Sequence, residues 1–177
     1  MVIDNGVKMI VSSLEKKFGN LGKIGAAGEV KAYDILQKVF YEVIDDRKNP
    51  EAQINGWDFR VRQSGWKFLI RIEVKTNLYF DKGGFKFPVE LEKYGKVGDF
   101  LKSSAHRFLH LSKKTGDYLY YDLSELRNFV NRKLNLPDNW IHNLIKEAPG
   151  GDNAKLLWVS TNDVRFKEFL NVFRSNK

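Results

Sequence analysis

Two periodicities divide the chain. Val7, Ile10, Val11, Leu14 and Phe18 recur at three- and four-residue steps behind Asp4 and Asn5, which predicts a capped helix that GNLGKIG then breaks. Ala32, Tyr33, Leu36 and Phe40 continue the same spacing and predict a second helix over about 26–40. Val43 and Ile44 read as a short strand, and DDRKNPE as a polar turn. INGWDFRV and WKFLIRIEV alternate with period two as strands around a turn at QSG.

LYFDKGGFKFPVEL reads as a hairpin turning at DKGG. Pro88 lacks a ladder donor, so its arm should be an edge or carry a bulge. YGKVGDF leads into a short helix expected near Ser103–Arg107. The strands FLHLS and DYLYYDL follow, around KKTG. Ser124 and Glu125 open a helix with Leu126, Phe129 and Val130 inward. A shorter helix from Pro137 and Asp138 carries Trp140, Ile141, Leu144 and Ile145. After a turn at PGGD and a strand KLLWVS, Asn162 or Asp163 caps a last helix bearing Phe166, Phe169, Leu170 and Phe173. This order indicates a mixed α/β fold with a largely antiparallel sheet flanked by helices, in a single domain over 1–177.

Composition narrows the picture. The chain has 177 residues, 42% hydrophobic and 29% charged, enough to bury a core and too aromatic for disorder. It contains no cysteine, which excludes disulfides and thiolate metal sites. Apolar runs are too short to span a bilayer, and the N-terminus lacks a signal-peptide core, so an intracellular, cytoplasmic protein without a membrane partner is expected. The net charge of +8 suits an anionic partner, above all nucleic acid.

Candidate chemistry centres on IRIEVKTN. Alternation sets Ile70, Ile72 and Val74 on one face and Arg71, Glu73 and Lys75 on the other. An acid-x-Lys triplet is cheap in so charged a chain. EKK at Glu15 and DRK at Asp46 also qualify, but they sit in polar runs and read as solvated surface. Glu73 and Lys75 end an apolar strand. In GWDFRV the same alternation puts Asp58, Arg60 and Arg62 together. A hairpin of the two strands would bring Asp58 beside Glu73 and Lys75 at one edge of the sheet. Two carboxylates, with the Val74 carbonyl near them, suit a hard divalent cation that keeps waters and takes phosphate oxygens, while Lys75 would stabilise developing negative charge. Glu29 shares the helical stripe of Ala32 and Leu36 and is expected on its buried side, as a fourth member or as a cap.

GAAGE, GWD and IEVK together resemble the PD-(D/E)XK nuclease superfamily, in particular the archaeal Holliday-junction resolvases and small phage-type nucleases. Trp57 stands where the motif's name has proline. The resemblance covers about Gly25–Asp122 and implies a restriction-endonuclease-like αβββαβ core over 25–122, with added N- and C-terminal helices and an extension over 123–177. It implies a Mg²⁺-dependent endodeoxyribonuclease, with Mn²⁺ able to substitute, hydrolysing phosphodiester bonds in DNA by metal-activated water. Asp58 and Glu73 would be metal ligands, Lys75 catalytic, and Glu29 the holder of a metal-bound water or second ion. His106 stands in SSAHR where such relatives carry an acid.

Arg60, Arg62, Arg71, Lys86, Lys102, His106 and Arg107 are the candidate phosphate contacts. Cutting two strands calls for two sites and so favours a homodimer. The alternative is a non-catalytic nucleic-acid-binding module on the same fold. A histidine metal site finds little support, because a strand begins between His106 and His110 and His142 lies apart. The glycine stretches lack the spacing of a nucleotide-binding loop.

Overall fold

The apolar stripe of the second predicted helix forms as expected. In this computed structural model, which describes residues 25–81, 83–112, 114–137, 140–148 and 153–173, the helix spans residues 25–39 (α1), with Ala32 and Leu36 fully buried. The earlier helix predicted behind Asp4 and Asn5, most of GNLGKIG, and the PGGD turn lie outside the described residues.

Strand β1, Glu42–Asp45, pairs antiparallel with β2, Phe59–Arg62, which pairs antiparallel with β3, Ile70–Lys75. The segment between β1 and β2 departs from expectation. Instead of a turn running into a long strand, Pro50–Asn55 forms a helix, α2. The Asn49 side chain accepts from the Glu51 N–H at 3.0 Å, and Pro50 supplies the φ a first helical turn wants. Gly56, at φ 75°, closes the helix in the left-handed region. Asn-Pro-Glu was thus a helix start, and Ile54, expected in a strand, lies 82% exposed on α2.

Tyr79–Asp81 (β4) and Gly84–Lys93 (β5) form the predicted hairpin, followed by Lys96–Val97 (β6). β4 ends its pairing opposite Lys86, so Pro88 has a strand neighbour on one side only. The β5 register slips near Leu91, where Lys155 faces Glu92 but Leu156 faces Glu90. The one-sided pairing is what Pro88 itself requires, and the bulge expected on this arm lies three residues farther along.

The next helix, α3, spans Asp99–Lys102, four residues before the expected Ser103–Arg107. Ser103–Ala105 cannot continue it because they are tied to the end of α2. The Ser103 hydroxyl donates to the Gly56 carbonyl at 2.6 Å, and the Ser104 N–H donates to the Asn55 carbonyl at 2.8 Å.

Arg107–Leu111 (β7) runs parallel to β3, and Tyr118–Asp122 (β8) pairs antiparallel with β7. Asp122 caps α4, Leu123–Leu134, through the N–H groups of Ser124 and Glu125. A 3₁₀ turn over Trp140–Leu144 leads into Ile145–Glu147 (β9), a strand where a helix was expected to continue. Ala154–Ser160 (β10) pairs with both β5 and β9. The last predicted helix is cut to Val164–Lys167 (α5), because Asn171–Phe173 (β11) instead covers the edge of β8, with Phe173 stacked on Tyr118 at 4.8 Å.

The result is a mixed α/β fold with largely antiparallel sheets flanked by helices. One sheet runs β1-β2-β3-β7-β8-β11, with β3-β7 its parallel pair; a second runs β4-β5-β10-β9, with β6 beside β5. That second sheet was not foreseen, and the segment after Asp122 contributes β9 and β10 to it and β11 to the first sheet. α1 packs on one face of the first sheet, against Phe59, Val61, Ile72, Val74 and Leu109. On the other face Phe108, Leu119 and Tyr121 meet Phe87, Val89 and Val159 of the second sheet, together with Leu126 and Val130 of α4. Each fully buried apolar chain of this kind contributes about 1.5–3 kcal/mol. Among the described residues no helix is long and apolar enough to cross a membrane.

Candidate functional site

Strand register decides which charged groups meet. Phe59 faces Ile72 across the β2–β3 pair, so Asp58, one residue before β2, stands beside Glu73. Two bonds fix it there. The Asp58 N–H donates to the Ile72 carbonyl at 2.8 Å, and its Oδ2 accepts from the Val74 N–H at 2.7 Å. Glu73 and Lys75 point away from α1, toward the face that β7 fills with Phe108 and His110. The Lys75 ammonium sits 2.5 Å from Glu73 Oε1 and 3.2 Å from Asp99 Oδ2. Asp99 Oδ1 in turn binds Lys102 at 2.9 Å.

Asp58, Glu73, Asp99, Lys102 and Ser103 line one open cleft of about 280 Å³, floored by Gly56 and Trp57. The two expected carboxylates therefore lie on the same side of the sheet. They meet at the end of a central strand rather than at a lateral edge of the sheet. Glycine suits position 56 because its φ is positive and a Cβ there would press on Ser103 at 3.2–3.3 Å, with Glu73 Oε2 next at 3.5 Å.

The electrostatics are unbalanced. Burial pushes Asp58 up, and Glu29 and Glu73 add repulsion that the Val74 N–H and Lys75 do not offset, so its pKa rises to about 6. Burial alone would lower Lys75, but the charges of Glu73 and Asp99 outweigh it and hold the ammonium protonated. Asp99 is also buried enough to rise, yet Lys75 and Lys102 keep it below the usual carboxylate range. Glu73 is 6% exposed, and its Oε2 has no hydrogen-bond partner among the described residues. A buried carboxylate oxygen left this way costs on the order of 1–3 kcal/mol.

Glu29 does not join this group. α1 covers the opposite face of the sheet, and Glu29 stands about a third exposed beside Arg47, at 3.8 Å, in a separate hollow with Asp45 and Lys48. It reaches Asp58 only through its charge. The expected buried carboxylate on the helical stripe is therefore corrected: the stripe buries Ala32 and Leu36, while Glu29 sits at its margin, where α1 passes close over the end of β3. A Cβ on Gly28 would overlap Thr76 Cγ2, so glycine is what permits that crossing.

The candidate phosphate contacts scatter. Arg60 binds Asp46 through Nε at 2.6 Å and Nη2 at 3.0 Å, and Arg62 pairs with Glu42. Arg71 lies over the Trp57 ring at 5.1 Å and meets His106 Nε2 at 3.2 Å. Arg107 pairs with Asp122 at 3.2 Å, and Lys86 sits 4.9 Å over Trp158. Of this set, Lys102 alone lines the cleft.

Asp99 and Ser103 were missed. Both sit in a polar, glycine-flanked stretch whose sequence carries no period, and only the tertiary fold brings them to β3. Deeper in, His110 is fully enclosed between Asn77, at 2.5 Å from Nδ1, and Tyr121, at 3.1 Å from Nε2. Burial and the nearby Lys75 hold it neutral, so it works as a spacer behind the lysine.

As a cation site, the donor set is sparse. Among the described residues no group of three or more acidic, histidine or cysteine side chains is gathered around one point. A pair such as Asp58 and Glu73 fits a hard cation that keeps most of its waters, as Mg²⁺ does with one or two carboxylates and a phosphate. Glu73 Oε2 is the atom with capacity to spare. No protein-family model, curated protein or solved structure matches this chain.

Proposed function

We propose that the cleft hydrolyses phosphodiester bonds in DNA with the help of a divalent cation, Mg²⁺ first and Mn²⁺ as a substitute. The observation that carries this reading is the buried Glu73 Oε2, without a hydrogen-bond partner among the described residues, beside a second carboxylate and a charged lysine. A buried carboxylate oxygen without a partner, next to a second carboxylate, is what a cation site provides. Asp58 and Glu73 would hold the ion. When bound, such an ion neutralises phosphate charge and lowers the pKa of water.

The chain's own residues supply the rest. Asp58 is fixed by the Val74 N–H and presents its carboxylate without rearrangement. Lys75, held on Glu73 and Asp99, keeps a positive charge where negative charge would build on the phosphate. Lys102 offers a second ammonium at the rim of the cleft.

The chain order also supports a restriction-endonuclease-like core. α1 precedes three antiparallel strands, β1-β2-β3, and α3 leads to β7, which lies parallel to β3. In that reading Asp58, Glu73 and Lys75 occupy the acid-acid-lysine positions. Glu29 would act only at a distance, by raising the pKa of Asp58.

The test is cleavage of supercoiled and branched DNA in Mg²⁺ or Mn²⁺, with Asp58→Ala, Glu73→Gln and Lys75→Ala as comparisons. Wild-type nicking lost in all three variants is expected. Nicking that persists unchanged in Asp58→Ala and Lys75→Ala would reject the assignment. A second reading, a nucleic-acid-binding module without chemistry, is favoured by the sparse donor set and by the hold of Asp99 on Lys75. It predicts salt-sensitive DNA binding with no cleavage in either metal.

A further inference from the structure

The second sheet has one face in the core and one turned outward, and the outward face runs into the cleft. Alternation along β5 buries Phe85, Phe87 and Val89 and leaves Lys86, Pro88 and Glu90 partly exposed. Register extends that outer face sideways: Tyr79 stands opposite Lys86, Ser160 opposite Lys86 on the far side, Trp158 opposite Pro88 and Leu156 opposite Glu90. Tyr79 is 50% exposed, its ring lies 6.0 Å from that of Trp158, and the Lys86 ammonium sits 4.9 Å over Trp158.

From there Pro88, Leu156 and Glu90 form one wall of a hollow of about 130 Å³, whose other wall is Lys75, Asn77 and Asp99. Asp99 lines this hollow and the cleft alike. Asp99 thus joins the cleft of Asp58 and Glu73 to the hollow at Lys75, and Pro88 of that hollow stands opposite Trp158 in the ladder, with Tyr79 and Lys86 beside it. The acids beside it are matched by neighbours, Glu90 by Lys93 at 3.7 Å and Glu92 by Lys155 at 2.9 Å.

We propose that this outer face of the second sheet binds a single-stranded segment of the nucleic acid, its bases stacking on Tyr79 and Trp158 while Lys86 meets the backbone, so that the strand is led past Lys75 and Asp99 into the cleft. The inference rests on the cleft's acting on DNA. Aromatic rings beside ammonium groups on an open sheet face are what unpaired bases require, since every base offers a π-face and each phosphate a charge. A duplex hides its base faces and would gain little from either ring.

The experiment is equilibrium binding of a labelled oligothymidylate and of a matched duplex, at low salt in EDTA so that nothing is cut. In the doubly substituted Tyr79→Ala, Trp158→Ala protein, single-strand affinity should fall about tenfold or more, the loss of one or two stacked bases, with duplex affinity within about twofold of wild type. Tyr79→Phe with Trp158→Phe, which keeps the rings, should restore binding and rule out misfolding as the cause. Trp66→Ala, in the β2–β3 loop at the other end of those strands, should change nothing.

Single-strand binding unaltered in the double variant but weakened in Lys102→Ala would overturn this face and leave the cleft assignment standing. Equal loss for duplex and single strand would overturn the single-strand assignment. A wild-type chain that binds neither form of DNA, in EDTA or with Ca²⁺ supplied in place of Mg²⁺, would overturn the cleft reading itself.

Discussion

Two acid clusters of opposite character adjoin at the start of β2, where the Asp46 N–H donates to the Asp58 carbonyl at 2.9 Å. In one, Asp46 is 3% exposed, yet every demand of its carboxylate is met. It accepts from Trp57 Nε1 at 3.0 Å, from Arg60 Nε at 2.6 Å and Nη2 at 3.0 Å, and from Asn49 Nδ2 at 3.4 Å. Burial pushes its pKa up, but these bonds outweigh it and hold the group below its ordinary value. In the other, Asp58 has one backbone donor and two repelling carboxylates, and rises to about 6, while Glu73 leaves an oxygen unmet. The same residue types are finished in one place and unfinished in the other. Satisfaction, not burial or charge, separates a structural ion pair from a candidate site.

Substitution should separate the clusters most sharply in activity. Glu73→Gln and Lys75→Ala should each lower DNA nicking by about 10²-fold or more, the scale of losing a preorganised charge. Asp46→Asn should leave nicking per folded molecule within about twofold. Equal losses in both clusters, scored by plasmid gel assay, would erase the distinction.

Stability should then show the reverse order. Asp46→Ala strands Arg60 and the Trp57 N–H, and the cost should be about 3 kcal/mol in urea unfolding, the lower end for a broken buried pair because Arg60 is partly solvated. The benefit of Asp46 is present above the ordinary aspartate pKa and should disappear as pH falls through its lowered native value.

The crossing of α1 over β3 provides a third handle. Gly28→Ala should cost about 1–3 kcal/mol through overlap with Thr76 Cγ2, and Thr76→Ser, which removes that methyl, should recover most of it. A destabilisation that Thr76→Ser does not relieve would place its cause elsewhere than the Thr76 methyl, and no destabilisation at all would show that the crossing has room for a side chain.

The smallest effect has the most telling sign. Asp58 titrates near 6 when folded against 3.8 when unfolded, so between those values the native state binds more protons and gains stability as pH falls. Above pH 6 the buried charge is a net cost. Asp58→Asn should therefore raise the unfolding midpoint by a few degrees at pH 8, in chelator, with the gain shrinking toward pH 4. Added Mg²⁺ should stabilise wild type and not the variant, and less so below pH 6, where protons compete for the carboxylate. A loss of stability at pH 8 would place Asp58 with Asp46, among the structural acids.

Period and capping chemistry made much of the fold legible. The α1 stripe, the β2–β3 and β4–β5 hairpins, and the body of α4, though not its cap at Asp122, were readable because they rest on contacts close in sequence. Asp58 beside Glu73 and Lys75 was legible for the same reason, since alternation plus a hairpin fixes their register. Misreadings came where a local signal had two meanings. Asn49-Pro50-Glu51 reads equally as a turn and as a helix start, and Ser103 and Ser104, candidates for a helix, are claimed by carbonyls of Asn55 and Gly56.

The sequence by itself determined which residues alternate and which cap, because neighbours along the chain settle those choices through geometry a few residues wide. Tertiary packing alone placed Asp99 on Lys75, kept Glu29 at the margin, built the second sheet and left Glu73 Oε2 unmatched. Those outcomes depend on how layers stack and on which groups run out of partners. No period along a chain encodes that.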